Sequence, residues 1–87
     1  MSRELLNTLF VMTQGAYVHL EGETAKVEMD SKVLLQTPLH HLGGIVTFGN
    51  VMISPFLMHK CASEGRTVSF LSMNGRFLAR VVGPVSG

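Results

Sequence analysis

Residues 45–71 read IVTFGNVMISPFLMHKCASEGRTVSFL, and this stretch decides the fold. Ile45 to Phe48 is a short strand of the wholly buried type, interrupted by Gly49-Asn50 and briefly extended by Val51 to Ile53. Ser54-Pro55 then opens a helix. The serine hydroxyl can accept from a free amide, and a proline at the first helical position loses no bond it would have made. Leu57/Cys61 and Met58/Ala62, each spaced by four, form one apolar stripe, with His59, Lys60 and Ser63 on the wetter side. Gly65 ends the helix and Thr67 to Leu71 follows as a strand. Strand, helix, strand over so short a span predicts a parallel, right-handed crossover.

Towards the N-terminus the pattern is all β. Leu5 to Thr13 carries apolar residues on both parities, which predicts a strand covered on both faces. Tyr17 to Glu21 and Thr24 to Met29 flank Glu21-Gly22-Glu23 and read as a hairpin. In its second arm Ala25, Val27 and Met29 alternate with Lys26, Glu28 and Asp30. Asp30-Ser31-Lys32 is a turn, and Val33 to Thr37 is the next strand, ended by Pro38. Four strands in close succession predict an antiparallel meander. Residues 38–44 (PLHHLGG) read as one helical turn.

Towards the C-terminus, Asn74-Gly75 is the strongest turn signal, of the type I′ kind. It hairpins Arg76 to Val82 onto the preceding strand. The expected class is α+β, mostly β: a meander, one strand–helix–strand crossover and a final hairpin. Residues 1–82 are expected to form one domain, with 83–87 (GPVSG) the start of a linker.

The chain has 87 residues, enough for one domain that buries about 60% of its unfolded surface. With 46% hydrophobic and 15% charged residues it can build a core, and some apolar surface is expected to be covered by another protein part. Seven basic against six acidic residues give a net charge of +1, without the basic cluster of an autonomous DNA-binding domain. The single cysteine, Cys61, excludes an internal disulfide. The opening Met1-Ser2-Arg3-Glu4 does not resemble a signal peptide, and no apolar run approaches the roughly 20 residues of a membrane span. A cytoplasmic location with no membrane partner is therefore expected.

Candidate chemistry is sparse. Adjacent His40 and His41 have no Cys, Asp or Glu at ligand spacing, and His19 and His59 stand alone. Glu21, Glu23, Glu28 and Asp30 lie in or beside the solvated hairpin and offer no convincing ligand set for a two-metal nuclease. No catalytic or metal-binding residue is assigned. Arg76 and Arg80, evenly spaced on the last strand, are expected to share a face. With Arg66 and Lys60 they could make a modest basic stripe, which reads as a solvated face or as a surface for phosphate contact or an inter-domain ion pair.

Several motifs, in order, resemble the N-terminal β-domain of CRISPR-associated protein 1, in a form similar to subtype I-C. They are residues 5–9 (LLNTL), 38–46 (PLHHLGGIV), 48–51 (FGNV), Ser54-Pro55 with Cys61-Ala62 and Glu64-Gly65, 74–81 (NGRFLARV) and 83–87. The resemblance covers nearly the whole chain. It implies a β-domain joined to a larger α-helical domain that lies outside these residues. That helical domain would carry the catalytic Glu, His and Asp and bind divalent metal, magnesium or manganese. The complete protein would be a metal-dependent DNA endonuclease and integrase that inserts spacers into the CRISPR array in antiviral defence. The resemblance further implies that this domain builds a homodimer. Two dimers would flank CRISPR-associated protein 2, with protospacer and CRISPR-repeat DNA as the other partners. The 87 residues alone are expected to be inactive. Some family members place an aromatic wedge near the start of this domain; here Thr13-Gln14-Gly15 has none, and Tyr17 is the nearest. The alternative reading is a stand-alone β-rich binding or dimerisation module without catalysis.

Overall fold

A computed structural model describes residues 7–83. The elements are β1 (Asn7–Val11), β2 (Tyr17–Glu21), β3 (Thr24–Met29), β4 (Lys32–Pro38), a 3₁₀ turn (Leu39–His41), β5 (Leu42–Phe48), β6 (Met52–Ile53), α1 (Pro55–Ser63), β7 (Thr67–Leu71) and β8 (Phe77–Val81). They form two four-stranded sheets, β1-β5-β7-β8 and β4-β3-β2-β6. The class is α+β and mostly β, as the sequence predicts. The expected end segments Leu5-Leu6 and 84–87 lie outside the described residues.

The meander is shorter than expected. β2, β3 and β4 are joined antiparallel, but β1 leaves them and pairs parallel with β5, Leu9 opposite Ile45 and Phe10 opposite Val46. Its two apolar parities do not mean two covered faces. Leu9 and Val11 are buried, whereas Phe10 and Met12 are 57% and 65% exposed. The 51–53 segment also departs from expectation. It does not extend β5; it crosses to the other sheet and pairs parallel with β2, Val18 opposite Ile53. Only residues 39–41 of the predicted helical turn are helical; Leu42, Gly43 and Gly44 already belong to β5.

The strand–helix–strand unit forms with parallel strands, β5 and β7, and α1 lies between them in sequence. The Ser54 hydroxyl accepts from the Leu57 N–H at 3.2 Å, and Pro55 takes the first turn. Leu57 and Cys61 point into the core with Leu9, Val18, Leu39, Ile45 and Val68. Burial pushes the Cys61 thiol pKa upward, as suits a small core hydrophobe. Gln14 joins the two loops at one end of the sheets. Its amide donates to the Phe48 carbonyl at 2.7 Å, and its oxygen accepts from the Asn50 N–H at 2.6 Å.

The last hairpin forms, but not through a type I′ turn. Of Asn74 and Gly75 only Gly75 has a positive φ, +88°, and its N–H donates to the Ser72 carbonyl at 2.9 Å. The Ser72 N–H in turn donates to the Arg76 carbonyl at 2.7 Å. This is the three-residue hairpin loop, in which one left-handed glycine closes the turn. The left-handed pair that a type I′ turn requires occurs instead at Asp30 (φ 52°) and Ser31 (φ 64°), between β3 and β4.

Candidate nucleic-acid interface

The four basic residues do not form one stripe, although Arg66 and Arg80 line the same groove beside the end of α1. Lys60, on the last turn of α1, lies 3.3 Å from Glu23 on the β2–β3 turn and 3.2 Å from Glu64. Arg66, just before β7, lies 3.0 Å from Glu64 and donates to the Leu42 carbonyl at the start of β5. Two cations and two carboxylates thus close into one chain of ion pairs that ties the hairpin, the helix and two strands of the first sheet. The hydrogen bonds from Lys60 and then Arg66 hold the Glu64 carboxyl below its ordinary value of 4.5. The hydrogen bonds Lys60 donates to Glu64 and then to Glu23 raise its ammonium above 10.5. Both basic side chains point their charge at the protein's own carboxylates.

Arg76 and Arg80 are different. Both are exposed, and no ion pair among the described residues involves either. Their even spacing does not place them on one face, however. β8 pairs Arg80 with Ser69 and Ala79 with Phe70, but Phe77 with Leu71, so Leu78 is an extra residue. An inserted residue reverses the alternation beyond it, and Arg76 falls in the turn rather than in β8. By register Arg80 continues a row Phe10, Val46, Ser69, Arg80 across the outer face of the first sheet.

That outer face is the feature sequence reasoning missed. A second row carries Phe48, Leu71 and Phe77, the last 59% exposed. The rings of Phe10 and Phe48 lie 6.4 Å apart. The apolar residues on both parities of the first strand were the available signal. On the edge of the second sheet, Val33, Leu34 and Leu35 are all about half exposed, with a register shift at Leu34. An extra residue there turns consecutive apolar side chains outward.

The described histidines and carboxylates pair with other side chains or lie apart. His19, expected to stand alone, instead reaches the Glu28 carboxylate across the hairpin and stacks on Tyr17 at 5.3 Å. Lys26 pairs with Glu21 and lowers its carboxyl pKa. The His40 and His41 rings meet edge to face at 4.4 Å. Among the described residues no three metal-ligating side chains converge, so these residues do not fit a divalent cation. No helix among them is long and apolar enough to cross a membrane.

The whole arrangement has known relatives. CRISPR-associated endonuclease Cas1 1 of Moorella thermoacetica is 49% identical over 83 residues, which are 95% of this chain and 24% of that protein. The chain therefore spans about a quarter of the length of the curated relatives it matches. Among solved structures, a TtCas1–DNA complex superposes with a TM-score of 0.76 at 22% identity, covering 94% of this chain and 30% of that one. A partial Cas6-RT-Cas1–Cas2 complex superposes with a TM-score of 0.82 at 16% identity, covering 92% and 24%. The family profile described as CRISPR associated protein Cas1 matches residues 9–87, nearly the full length, and the chain belongs to that family.

Proposed function

We propose that this chain is the β-domain with which a CRISPR-associated DNA endonuclease and integrase assembles its homodimer and positions DNA for spacer insertion. The observation that carries the reading is the family match over residues 9–87 on a chain a quarter as long as relatives named endonucleases. The catalytic groups and the magnesium or manganese ion would reside in polypeptide beyond residues 1–82, with 83–87 leading into it. The neighbours solved with DNA and with Cas2 support protospacer and repeat DNA and CRISPR-associated protein 2 as partners. The exposed Phe10, Phe77 and Val33–Leu35 support a domain whose surface is completed by other protein. Arg76 and Arg80 are the better DNA contacts, because Lys60 and Arg66 are already occupied by carboxylates. A cytoplasmic location and the subtype I-C likeness belong to the same proposal.

The test compares the full-length protein with residues 1–87 alone. The full-length protein should cleave branched DNA with magnesium or manganese, lose that activity with EDTA, and scatter light as a dimer. Residues 1–87 should do no chemistry. EDTA-sensitive cleavage by residues 1–87, or a monomeric full-length protein inert towards DNA, would overturn the proposal. A reading frame that stops at Gly87 would favour the stand-alone module.

A further inference from the structure

Where the chain leaves β8 it touches the helix backbone. A methyl group at Gly83 would stand 2.4 Å from the Ala62 carbonyl oxygen and 3.1 Å from its carbonyl carbon. Neither can rotate aside, because both belong to the last turn of α1. The Ala62 carbonyl accepts from the Gly65 N–H at 3.3 Å, and the neighbouring Cys61 carbonyl accepts from the Arg66 N–H at 2.8 Å. Gly83 is not among the residues with positive φ. Glycine is required here by close approach, not by backbone conformation.

The surface it touches is held from several sides. Lys60 ties the helix end to Glu23, and Arg66 ties the following loop to Glu64 and to the Leu42 carbonyl. On the chain side, Val81 packs partly into the core two residues before Gly83. A groove of about 200 Å³ runs beside the contact, lined by Arg66 and Arg80 as well as Ala62, Thr67, Val81 and Val82. The exit point is therefore seated on a braced helix end.

We infer that Gly83 is a positioning residue: its contact with the Ala62 carbonyl fixes the angle at which the following polypeptide leaves the β-domain. This rests on the proposal that a catalytic domain follows. Any side chain at 83 must lift the exit strand off α1, and a small displacement there swings everything downstream.

The experiment uses the full-length protein with Gly83→Ala, and Gly75→Ala as the control. Gly75 also tolerates alanine poorly, at φ +88°, but a methyl there meets nothing within 4 Å and the turn is exposed. Small-angle scattering reads the arrangement of domains, and limited proteolysis reads opening just after residue 83. Gly83→Ala should change the scattering distance distribution and quicken cleavage after residue 83 about tenfold or more. Gly75→Ala should change neither at a similar loss of melting temperature. If Gly83→Ala fails to fold, one glycine inserted between Val82 and Gly83 unseats the exit without adding a side chain and should give the same two changes. Wild-type scattering and proteolysis in the folded Gly83 variant or in the insertion variant, or equal changes in Gly75→Ala, would overturn the inference. Wild-type DNA cleavage tests the functional proposal separately, so the two can fail independently.

Discussion

Removing Arg80 tests whether the outer face of the first sheet contacts DNA, and salt dependence is the sharpest measure of it. Lys60 and Arg66 share Glu23 and Glu64, so that cluster of two cations and two anions is neutral. Arg80 is exposed, with no ion pair among the described residues, so its charge is free for a phosphate. Each phosphate neutralised on a duplex contributes about 0.9 to the slope of log affinity against log salt, through counterion release. If Arg80 makes one such contact, Arg80→Ala in the full-length protein should flatten the slope by about 0.9. Over a fourfold rise in salt, the advantage of wild type over variant should then shrink about 3.5-fold. Fluorescence anisotropy with a labelled duplex, titrated at several salt concentrations, reads both numbers. Lys60→Ala should leave the slope unchanged, and Arg66→Ala should lower the melting temperature by freeing the Leu42 carbonyl and Glu64. An unchanged slope for Arg80→Ala alongside a flattened one for Lys60→Ala would refute the reasoning.

Three further outcomes follow from the packing and the charges. Thr47 is 1% exposed in the central strand β5, and its hydroxyl has no hydrogen-bond partner among the described residues. Thr47→Val should therefore stabilise the chain by about 1 kcal/mol in urea denaturation, and a loss of stability would show that the hydroxyl is satisfied. Ser31 holds a left-handed φ of 64° after Asp30, so Ser31→Gly should raise stability by about 0.5–1 kcal/mol; an unchanged melting curve would count against strain there. The Glu64 carboxyl titrates below its ordinary 4.5 in the folded chain, chiefly through Lys60. Its stabilising contribution is therefore complete above that ordinary value and is lost as pH falls through the lower folded value. The melting temperature should drop more steeply as pH falls below about 4.5 in wild type than in Glu64→Gln, and parallel profiles would exclude the effect.

Local signals were legible in the sequence and long-range ones were not. Ser54-Pro55, the β2–β3 hairpin and the helix stripe Leu57/Cys61 each depend on residues within a few positions, where propensity and capping decide. The partner of β1 depends on residues some 36 positions away, opposite Ile45 and Val46, and no turn dictates it. Met52–Ile53 reads equally well as a tail of β5 or as a strand of its own, because two residues carry no periodicity. The candidate site suffered most from register. A single extra residue at Leu78 cancels the parity that joins Arg76 to Arg80, and nothing in the local composition announces it. The neutralisation of Lys60 by Glu23 spans 37 residues and becomes visible only once the hairpin lies over the helix.

The first sheet is unfinished in a way that bears on what the domain is for. β1, β5 and β7 run parallel, with β8 antiparallel at the edge, and the apolar side chains on both faces of the parallel strands call for cover on both sides. Here one face packs against α1 and into a core shared with Val18, Ala25 and Val27 of the second sheet, burying Leu9, Ile45, Thr47 and Val68. The other face carries Phe10, Val46, Phe48, Leu71 and Phe77, with Arg80 the one charged side chain in its register rows. Such a surface is too apolar to serve as a phosphate groove, since that role needs several basic groups tracking a backbone. A DNA contact at Arg80 would therefore come from the rim of a surface whose main occupant is protein. A domain this small retains much of its apolar area in water when alone. If the proposed assembly covers that face, it would stabilise the fold and hold Arg80 in a defined place, and assembly would then be coupled to DNA positioning through a single sheet.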